Sequence, residues 1–240
     1  FYTALSAYPF SAQGIKVAVA ITKDLKHIEE RHLVTPFNAK AMSLFPEKIN
    51  GKYAVILTAN TDLPPSKIGV AFFDKIEEIW SQEYWHGWYN FIDDHTIPLQ
   101  RNESDQIEIG APPIKTKDGW LLLHSYIKNY YSDNKIFTIE AALLDSDNPQ
   151  KVTSRITDPL LSPVKEYELY GHVPDVIFPS GGLIHGKSLY VYYGAADTST
   201  ALATCDLADL LDEFKPEAKN PEKDAHTSVL TRFHENPILE

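Results

Sequence analysis

Residues 109–128, IGAPPIKTKDGWLLLHSYIK, predict a short strand, a tight polar turn and a strongly apolar second strand. The turn is expected at residues 117–119, because Asp and Gly suit the backbone of a hairpin turn. The same design occurs in residues 43–62, SLFPEKINGKYAVILTANTD, and in residues 176–197, VIFPSGGLIHGKSLYVYYGAAD. The chain therefore contains three similar predicted hairpins.

The three hairpins repeat at a regular interval. Pro46, Pro113 and Pro179 hold equivalent places in them, 67 and 66 residues apart. A repeat of this length that contains several strands is typical of a β-propeller or a similar array. We therefore predict an all-β, propeller-type fold in which the proline-containing strands are innermost, around the axis where propellers usually bind ligands.

The strand pattern also predicts how the chain is divided. A partial propeller of about three and a half blades is expected over 1–214, followed by a polar linker at 215–228 and a strand of the kind that opens a blade at 229–240. The first blade lacks its inner strand in this sequence. The predicted blades lie near 1–36, 40–100, 105–163 and 166–214. The strands predicted within them include 43–48 and 67–73 in the second blade, and 107–115 and 136–144 in the third.

Composition excludes several functional classes. The 240 residues carry a net charge of −11 without a basic stripe, which disfavours nucleic acid and favours a neutral ligand. No apolar run reaches the length of a membrane span, so we expect no membrane partner. Cys205 is the only cysteine, which excludes an internal disulfide and fits a cytoplasmic location. The sequence begins with Phe1 inside a strand-like segment, and we interpret it as a piece of a longer chain.

Four segments resemble motifs of glycoside hydrolase family 130 and occur in that family's order: LFPEKINGKY, GAPPIKTKDGW, VIFPSGGLI and LYVYYGAADT. The resemblance covers about residues 1–214. It implies a five-bladed β-propeller enzyme that acts on β-mannosides or related oligosaccharides, as a hydrolase or as a phosphorylase, without a cofactor or a metal. It also implies a general acid, an aspartate shortly upstream of the YTA segment, which no residue of this sequence supplies.

The C-terminal sequence RFHENPILE resembles the strand with which chains of this family normally begin. Two interpretations stay open. The gene is circularly permuted or tandem, with the opening blade downstream, or this strand closes the last blade of the present chain. With an incomplete ring, exposed sheet edges predict either a homo-oligomer or a neighbouring segment that fills the gap.

Two carboxylates are candidate catalytic bases. The resemblance implies that Glu47 of FPEK contacts a sugar hydroxyl or orients a water molecule, and Glu108, just before GAPP, is expected to point toward the axis. Inverting hydrolysis needs a second carboxylate that activates water across the sugar ring from the acid. The alternative for Glu47 is a surface carboxylate beside Lys48.

The predicted substrate-binding residues follow the same motifs. Lys115 ends a strand, where an ammonium group can bind sugar hydroxyls or phosphate. Asp197 follows an apolar strand and resembles a glycone-binding group of the family, with Tyr193 beside it. The remaining candidates stand at positions of this sequence that are equivalent to motif positions of the family. They are Ser125, His172 and Asp175.

Two departures from the family pattern favour hydrolysis. Phosphorylases of the family hold phosphate with a cation and a histidine, at positions that here are Thr58 and Ser125. His124 is one residue away and therefore points to the opposite face of its strand. A basic residue also usually precedes the LFPEK motif, and Lys40 is near that place. Without convergent cations, a site should bind the phosphate dianion poorly.

Residues 77–90, EEIWSQEYWHGWYN, form an aromatic insert. We predict that Trp85 and Trp88 contribute to a sugar-stacking platform, and the alternatives are an oligomer contact or a satellite core under a long loop. The main functional alternatives are a β-mannoside phosphorylase and a non-catalytic carbohydrate-binding propeller. The FPEK and YYGAAD motifs argue against a family 43-like or fructan-acting glycosidase.

Overall fold

The computed structural model describes residues 1–4, 14–156, 158–215 and 229–239. These residues form four antiparallel sheets that follow one another along the chain. The structure confirms the predicted all-β, propeller-type fold. No helix in the described ranges is long and apolar enough to cross a membrane.

The first two sheets have three strands each. The first sheet contains β1 (Tyr2–Ala4), β2 (Lys16–Thr22) and β3 (Ile28–Leu33). The second contains β4 (Ala39–Leu44), β5 (Tyr53–Ala59) and β6 (Lys67–Phe73). A 3-10 helix (Ile76–Trp80) and two helices, α1 (Gln82–Asn90) and α2 (Ile92–His95), then lead to the third sheet.

The third and fourth sheets are larger. The third contains β7 (Gln106–Ile109), β8 (Ile114–Thr116), β9 (Gly119–Lys128), β10 (Ile136–Leu144) and β11 (Val152–Arg155). The short helix α3 (Glu166–Leu169) precedes the fourth sheet. That sheet contains β12 (Ile177–His185), β13 (Ser188–Ala195), β14 (Ser199–Asp206) and β15 (Thr231–Arg232), with α4 (Leu207–Asp212) after β14.

Successive sheets pack face to face, and a hydrophobic cluster fills each of the three spaces between them. The middle strands are therefore covered on both faces, which explains the nearly unbroken apolar run of β9. The outer strand β3 is covered on neither face and is rich in charged residues. Burial between sheets is the main driving force that holds neighbouring blades together.

The inner strands begin at one common end of the sheets. Ala39 lies opposite Ala59, Gln106 lies opposite Ile127, and Ile177 lies opposite Ala195. The start of each inner strand is thus beside the end of the long strand with which it pairs, namely β5, β9 or β13. We call this end, with the loops after β5, β9 and β13, the site end.

The inner strands differ from their predicted positions. The strand predicted at 43–48 lies at β4, four residues earlier, because Pro46 has no N–H to donate and the Ile49–Lys52 bridge closes the turn. The strand predicted at 107–115 is divided into β7 and β8. A Cβ atom at Gly110 would lie 1.7 Å from the Pro179 carbonyl oxygen, so the neighbouring inner strand approaches here as only glycine allows.

The C-terminal segment joins the fourth sheet. β15 pairs with β14, and the Asn236 side chain exchanges two hydrogen bonds with the backbone of Leu202, at 2.8 and 2.9 Å. In this structure residues 231–239 thus form the outer edge of the last blade. Except for Lys215, the linker predicted at 215–228 lies outside the described residues.

Candidate active site

Glu108 lies at the site end on the inner strand of the third sheet, where it is 7% exposed. Its carboxylate accepts a hydrogen bond of 3.4 Å from Gln106 Nε2. Burial raises the pKa of Glu108, while the positive charge of Lys40 and the hydrogen bond from Gln106 oppose the rise. Asp62 adds to it. The geometry therefore gives the site a buried carboxyl group that protonates more readily than an exposed one.

Tyr130 belongs to the same group of side chains. Burial raises the pKa of its hydroxyl, the negative charges of Glu108 and Asp62 raise it further, and a hydrogen bond from Gln106 opposes the rise. We call this group the inner cluster. It consists of Lys40, Asp62, Gln106, Glu108 and Tyr130.

Lys40 reaches the inner cluster from the second sheet. It lies opposite Thr58, so the two side chains share one face of that sheet. The Thr58 hydroxyl accepts a hydrogen bond of 2.8 Å from the backbone N–H of Ile109, which directs this face toward β7. An exposed ammonium group therefore lies beside the position at which the sequence has Thr58 instead of the family's cation.

Ser125 lies opposite Glu108 in the sheet, so the two side chains share a face. Ser125 is fully buried, and its hydroxyl has no hydrogen-bond partner among the described residues. The side-chain carbonyl oxygen of Gln106 is also buried and has no hydrogen-bond partner among the described residues. Buried polar atoms without partners are rare, and their concentration here marks this face as unusual.

Glu47 and Lys115 form an ion pair beyond the turn end of the inner strands. Lys115 Nζ lies 3.2 Å from Glu47 Oε1, and both side chains remain about half exposed. Lys115 also lies over the Trp120 ring. The structure thus joins two of the predicted site residues to each other at the turn end. Glu108, the other predicted base, lies at the site end in the inner cluster.

His172, Asp175 and Asp197 lie in two loops of the fourth sheet, and all three are exposed. The His172 N–H donates a hydrogen bond of 3.0 Å to the Thr198 hydroxyl, which ties the two loops together. Asp175 and Asp197 both adopt left-handed backbone conformations, with φ of 59° and 50°. Tight loops at the site end therefore present these carboxylates to solvent.

Tyr193 does not reach the surface, contrary to its predicted role in substrate binding. It is fully buried, and its hydroxyl donates a hydrogen bond of 2.9 Å to Glu168. Burial raises its pKa. Arg232 of β15 binds the same carboxylate through two nitrogens, at 2.7 and 2.9 Å. Tyr193 is thus part of the buried network that attaches the C-terminal segment.

The predicted platform of Trp85 and Trp88 is wrong in this structure. Their exposures are 0% and 4%, and both indole N–H groups donate to backbone carbonyls, of Ile79 and Val70. Phe37 packs against both rings. A ring without exposed surface cannot stack on a sugar, and α1 instead fills a core against the second sheet.

Sequence reasoning missed Asp62 and Tyr130. Asp62 follows β5, as Asp197 follows β13, so the repeat itself offered a signal for it. Its carboxylate accepts a hydrogen bond of 2.7 Å from Asn38. Tyr130 follows β9 in the corresponding loop. Equivalent positions in the repeat thus converge at the site end.

Comparison with known proteins identifies the family. A model of glycoside hydrolase family 130, described as β-1,4-mannooligosaccharide phosphorylase, matches residues 8–215. The 1,2-β-oligomannan phosphorylase of Thermoanaerobacter sp. (strain X514) is 35% identical over 199 residues, which cover 81% of this chain and 60% of that protein. The β-1,4-mannooligosaccharide phosphorylase of Ruminococcus albus is 34% identical over 203 residues, which cover 83% and 57%.

A solved structure agrees with these relatives. The β-1,2-mannobiose phosphorylase from Listeria innocua, in complex with β-1,2-mannobiose, superimposes with a TM-score of 0.65 at 29% identity, over 84% of this chain and 54% of that one. The chain thus spans little more than half the length of the relatives that it matches. With the sequence motifs and the propeller-type sheets, these similarities show that the chain belongs to glycoside hydrolase family 130.

Proposed function

We propose that the protein containing this chain cleaves β-linked mannosides by phosphorolysis. The mannosyl group passes to inorganic phosphate. A phosphate oxygen attacks the anomeric carbon, the glycosidic C–O bond breaks, and the leaving oxygen takes a proton from a general acid. The products are mannose 1-phosphate and the shortened sugar. This chain would supply part of the binding surface, and no residue of it is assigned as the acid.

The placement of Lys40 supports phosphorolysis most directly. Phosphate dianion is held best by charge-assisted hydrogen bonds from cationic side chains. Lys40 brings an ammonium group beside Thr58, so a cation from the neighbouring strand compensates for the missing one. Thr58 and Ser125 taken alone favour hydrolysis, whereas the ammonium group of Lys40 beside Thr58 favours phosphorolysis.

The relatives point in the same direction. Those at 34% and 35% identity are named as phosphorylases that act on β-mannooligosaccharides or β-oligomannan. Glu108 is compatible with a phosphate nearby, because a carboxyl group with a raised pKa can be protonated and donate a hydrogen bond. Protonation of Glu108 would remove the repulsion between its carboxylate and the phosphate.

Hydrolysis is the second candidate. It is favoured by Ser125, which replaces the family's phosphate-binding histidine, and by the buried carboxyl of Glu108, which can act as a base. In that case water replaces phosphate as the attacking group. The two reactions differ in their products and in their need for phosphate.

A product assay on the complete gene product separates the two reactions. The protein is incubated with β-1,2- and β-1,4-mannobiose, with and without phosphate, and mannose and mannose 1-phosphate are quantified. We expect mannose 1-phosphate that forms only with phosphate. Free mannose at the same rate without phosphate would contradict the proposal, and neither product would favour a non-catalytic carbohydrate-binding propeller.

A variant connects the reaction to Lys40. We expect Lys40→Met to raise the KM for phosphate more than tenfold, because a charge-assisted hydrogen bond contributes about 2 kcal/mol. Lys48→Met is the matched control, since Lys48 is also exposed on the second sheet but lies over the Tyr53 ring, away from the inner cluster. An unchanged KM for phosphate in Lys40→Met would remove Lys40 from the proposed anion site.

A further inference from the structure

We propose that Tyr131 forms a stacking subsite for a pyranose ring of the substrate. The ligand is a neutral β-linked mannooligosaccharide. This inference rests on the proposed function for the class of sugar, but the stacking itself is a binding event that can be measured without turnover.

The first observation is that the loop of Tyr131 is firmly anchored. Asp105, which is 6% exposed, accepts hydrogen bonds from the Tyr126 hydroxyl at 2.9 Å and from the Asn129 N–H at 3.0 Å. The next amide, that of Tyr130, donates to the Ser104 carbonyl at 2.8 Å. The backbone immediately before Tyr131 is therefore fixed to the turn that leads into β7.

The second observation is where this anchor places the ring. Tyr130 lies beside the start of β7 at the site end, because its amide bonds the Ser104 carbonyl two residues before Gln106, and Gln106 pairs with Ile127 of β9. The Tyr131 ring contacts the Tyr130 ring edge to face, with centroids 5.5 Å apart and planes at 86°. Tyr131 is thus closer to solvent than the polar groups at the start of the inner strand, and Tyr130 lies between them. A sugar chain leaving the inner cluster along this loop meets Tyr131 next.

The third observation is that Tyr131 is 63% exposed although its backbone is held. A tyrosine ring offers a large, rigid, amphipathic surface at low conformational cost, since only two side-chain torsions have to be fixed. The C–H face of a pyranose can cover such a ring while the sugar hydroxyls stay in water or bind polar groups.

The equivalent loops support an extended site. The loop after β5 carries Asp62 and the 61% exposed Leu63, and the loop after β13 carries Asp197. Each of these loops is at the site end and combines exposure with polar groups. Among them, the loop after β9 is the one that presents an aromatic ring, so it is the one suited to stacking.

The test uses the complete gene product with mannobiose, mannotriose and mannotetraose as substrates. Loss of one aromatic contact is expected to raise the KM for the longer sugars about fivefold to tenfold in Tyr131→Ala, with the KM for phosphate unchanged. Tyr131→Phe keeps the ring and should behave as the parent protein. Phe91→Ala is the matched control, because Phe91 is 66% exposed on the helical insert.

Two outcomes of the kinetic test would overturn the subsite. One is an unchanged KM for all sugars in Tyr131→Ala. The other is an equal loss in Tyr131→Phe and Tyr131→Ala, which would assign the effect to the hydroxyl group and not to stacking. Circular dichroism of each variant identifies a misfolded protein, and in that case Tyr131→Gln replaces Tyr131→Ala.

Direct binding separates this inference from the proposed function. Calorimetric titration with mannotetraose in the absence of phosphate should give a Kd that rises about fivefold to tenfold in Tyr131→Ala. If this occurs in a protein without phosphorolysis, the subsite stands and the proposed function fails. If phosphorolysis occurs and binding does not change, only the subsite is wrong. Absence of any binding of mannotetraose overturns the subsite.

Discussion

Lys115 Nζ lies 3.2 Å from Glu47 Oε1 and 4.3 Å from the centre of the Trp120 ring, so one ammonium group connects the second sheet to the third. The residues come from FPEK and PPIKT, two separate motifs of the sequence. An ion pair between half-exposed groups contributes little to stability, about 1 kcal/mol or less. Its consequence is orientation, because the carboxylate and the ring restrict the lysine to one direction.

This pair lies at the turn end of the inner strands, away from the inner cluster, so removal of its ammonium group should change neither activity nor stability strongly. We expect Lys115→Met to keep kcat/KM for mannobiose within about twofold of the parent value and to lower the free energy of unfolding by about 1 kcal/mol or less. The Lys52–Asp74 pair has a similar length, 3.3 Å, and lies at the edge of the second sheet, so Lys52→Met is the control. A loss of about tenfold or more in kcat/KM for Lys115→Met alone would show that Lys115 contributes to the site.

The buried ion pairs allow a comparison of two arginines. Glu140 is fully buried. Its carboxylate accepts two hydrogen bonds from the described residues, both donated by Arg101, at 2.6 and 2.8 Å. Glu168 is equally buried, but it also accepts from Tyr193 and from the backbone N–H groups of Val164 and Lys165. Without Arg232, Glu168 would still accept three hydrogen bonds. Without Arg101, Glu140 would have no hydrogen-bond donor among the described residues.

Arg101→Met should consequently destabilise the protein more than Arg232→Met. An uncompensated buried charge costs about 3–5 kcal/mol, and the remaining donors should reduce the cost for Arg232→Met to about half of that. Urea unfolding of both variants at pH 7 measures the difference. The opposite order would mean that the attachment of β15 depends on Arg232 more than on the rest of the segment.

The aromatic insert makes a prediction about stability. Trp85 is fully buried, and its indole donates a hydrogen bond of 2.6 Å to the Ile79 carbonyl. Trp85→Ala should cost about 3–5 kcal/mol in the free energy of unfolding, because it leaves a large cavity and an unpaired carbonyl. The KM for mannooligosaccharides should stay unchanged at a temperature where the variant is folded. A raised KM with normal stability would instead support the predicted role of Trp85 in stacking on a sugar.

His124 makes stability depend on pH. It is 2% exposed, and burial lowers its pKa to about 4, aided by the charges of Arg101 and Arg155 and opposed by a hydrogen bond with the Ser125 carbonyl. In the unfolded chain His124 has the ordinary histidine pKa of 6.5, so the unfolded chain holds more protons than the folded chain between pH 6.5 and about 4. Stability from this group is complete above pH 6.5 and falls as the pH decreases through that window.

Between pH 7 and pH 5 the free energy of unfolding should fall by about 2 kcal/mol. Each unit of separation between the folded and unfolded pKa values of His124 corresponds to about 1.4 kcal/mol. Urea unfolding at both pH values measures it. His124→Gln removes the titrating group, so its stability should change less over the same range. An equal pH dependence in both proteins would show that other groups are responsible.

Strand positions were predicted well where pattern and burial are local properties. The strands predicted at 67–73 and 136–144 coincide with β6 and β10, because alternating or continuous apolar residues between turns leave few other registers. The inner strands were predicted less well. Prolines and the close approach of Gly110 to Pro179 interrupt them, and the second of these causes lies in another sheet.

The candidate site was predicted in part for the same reason. Glu47, Asp175 and Asp197 lie in exposed loops and Lys115 lies on the short strand β8, all next to recognisable motifs. Trp85 looked equally available, because a sequence shows that a helix contains tryptophans and does not show which surface they meet. The nearby Phe37 lies almost fifty residues earlier in the chain.

By itself, the sequence determined the all-β fold, the repeat of hairpins and membership of glycoside hydrolase family 130. These follow from short-range features, namely turn residues, strand periodicity and motifs. Only the tertiary structure decided that Lys40 lies beside Thr58, that the Tyr130 amide bonds the Ser104 carbonyl before β7, and that Trp85 and Tyr193 are buried. Such contacts depend on how separate strands and sheets pair and pack, and burial between sheets is set by the whole surface that they share.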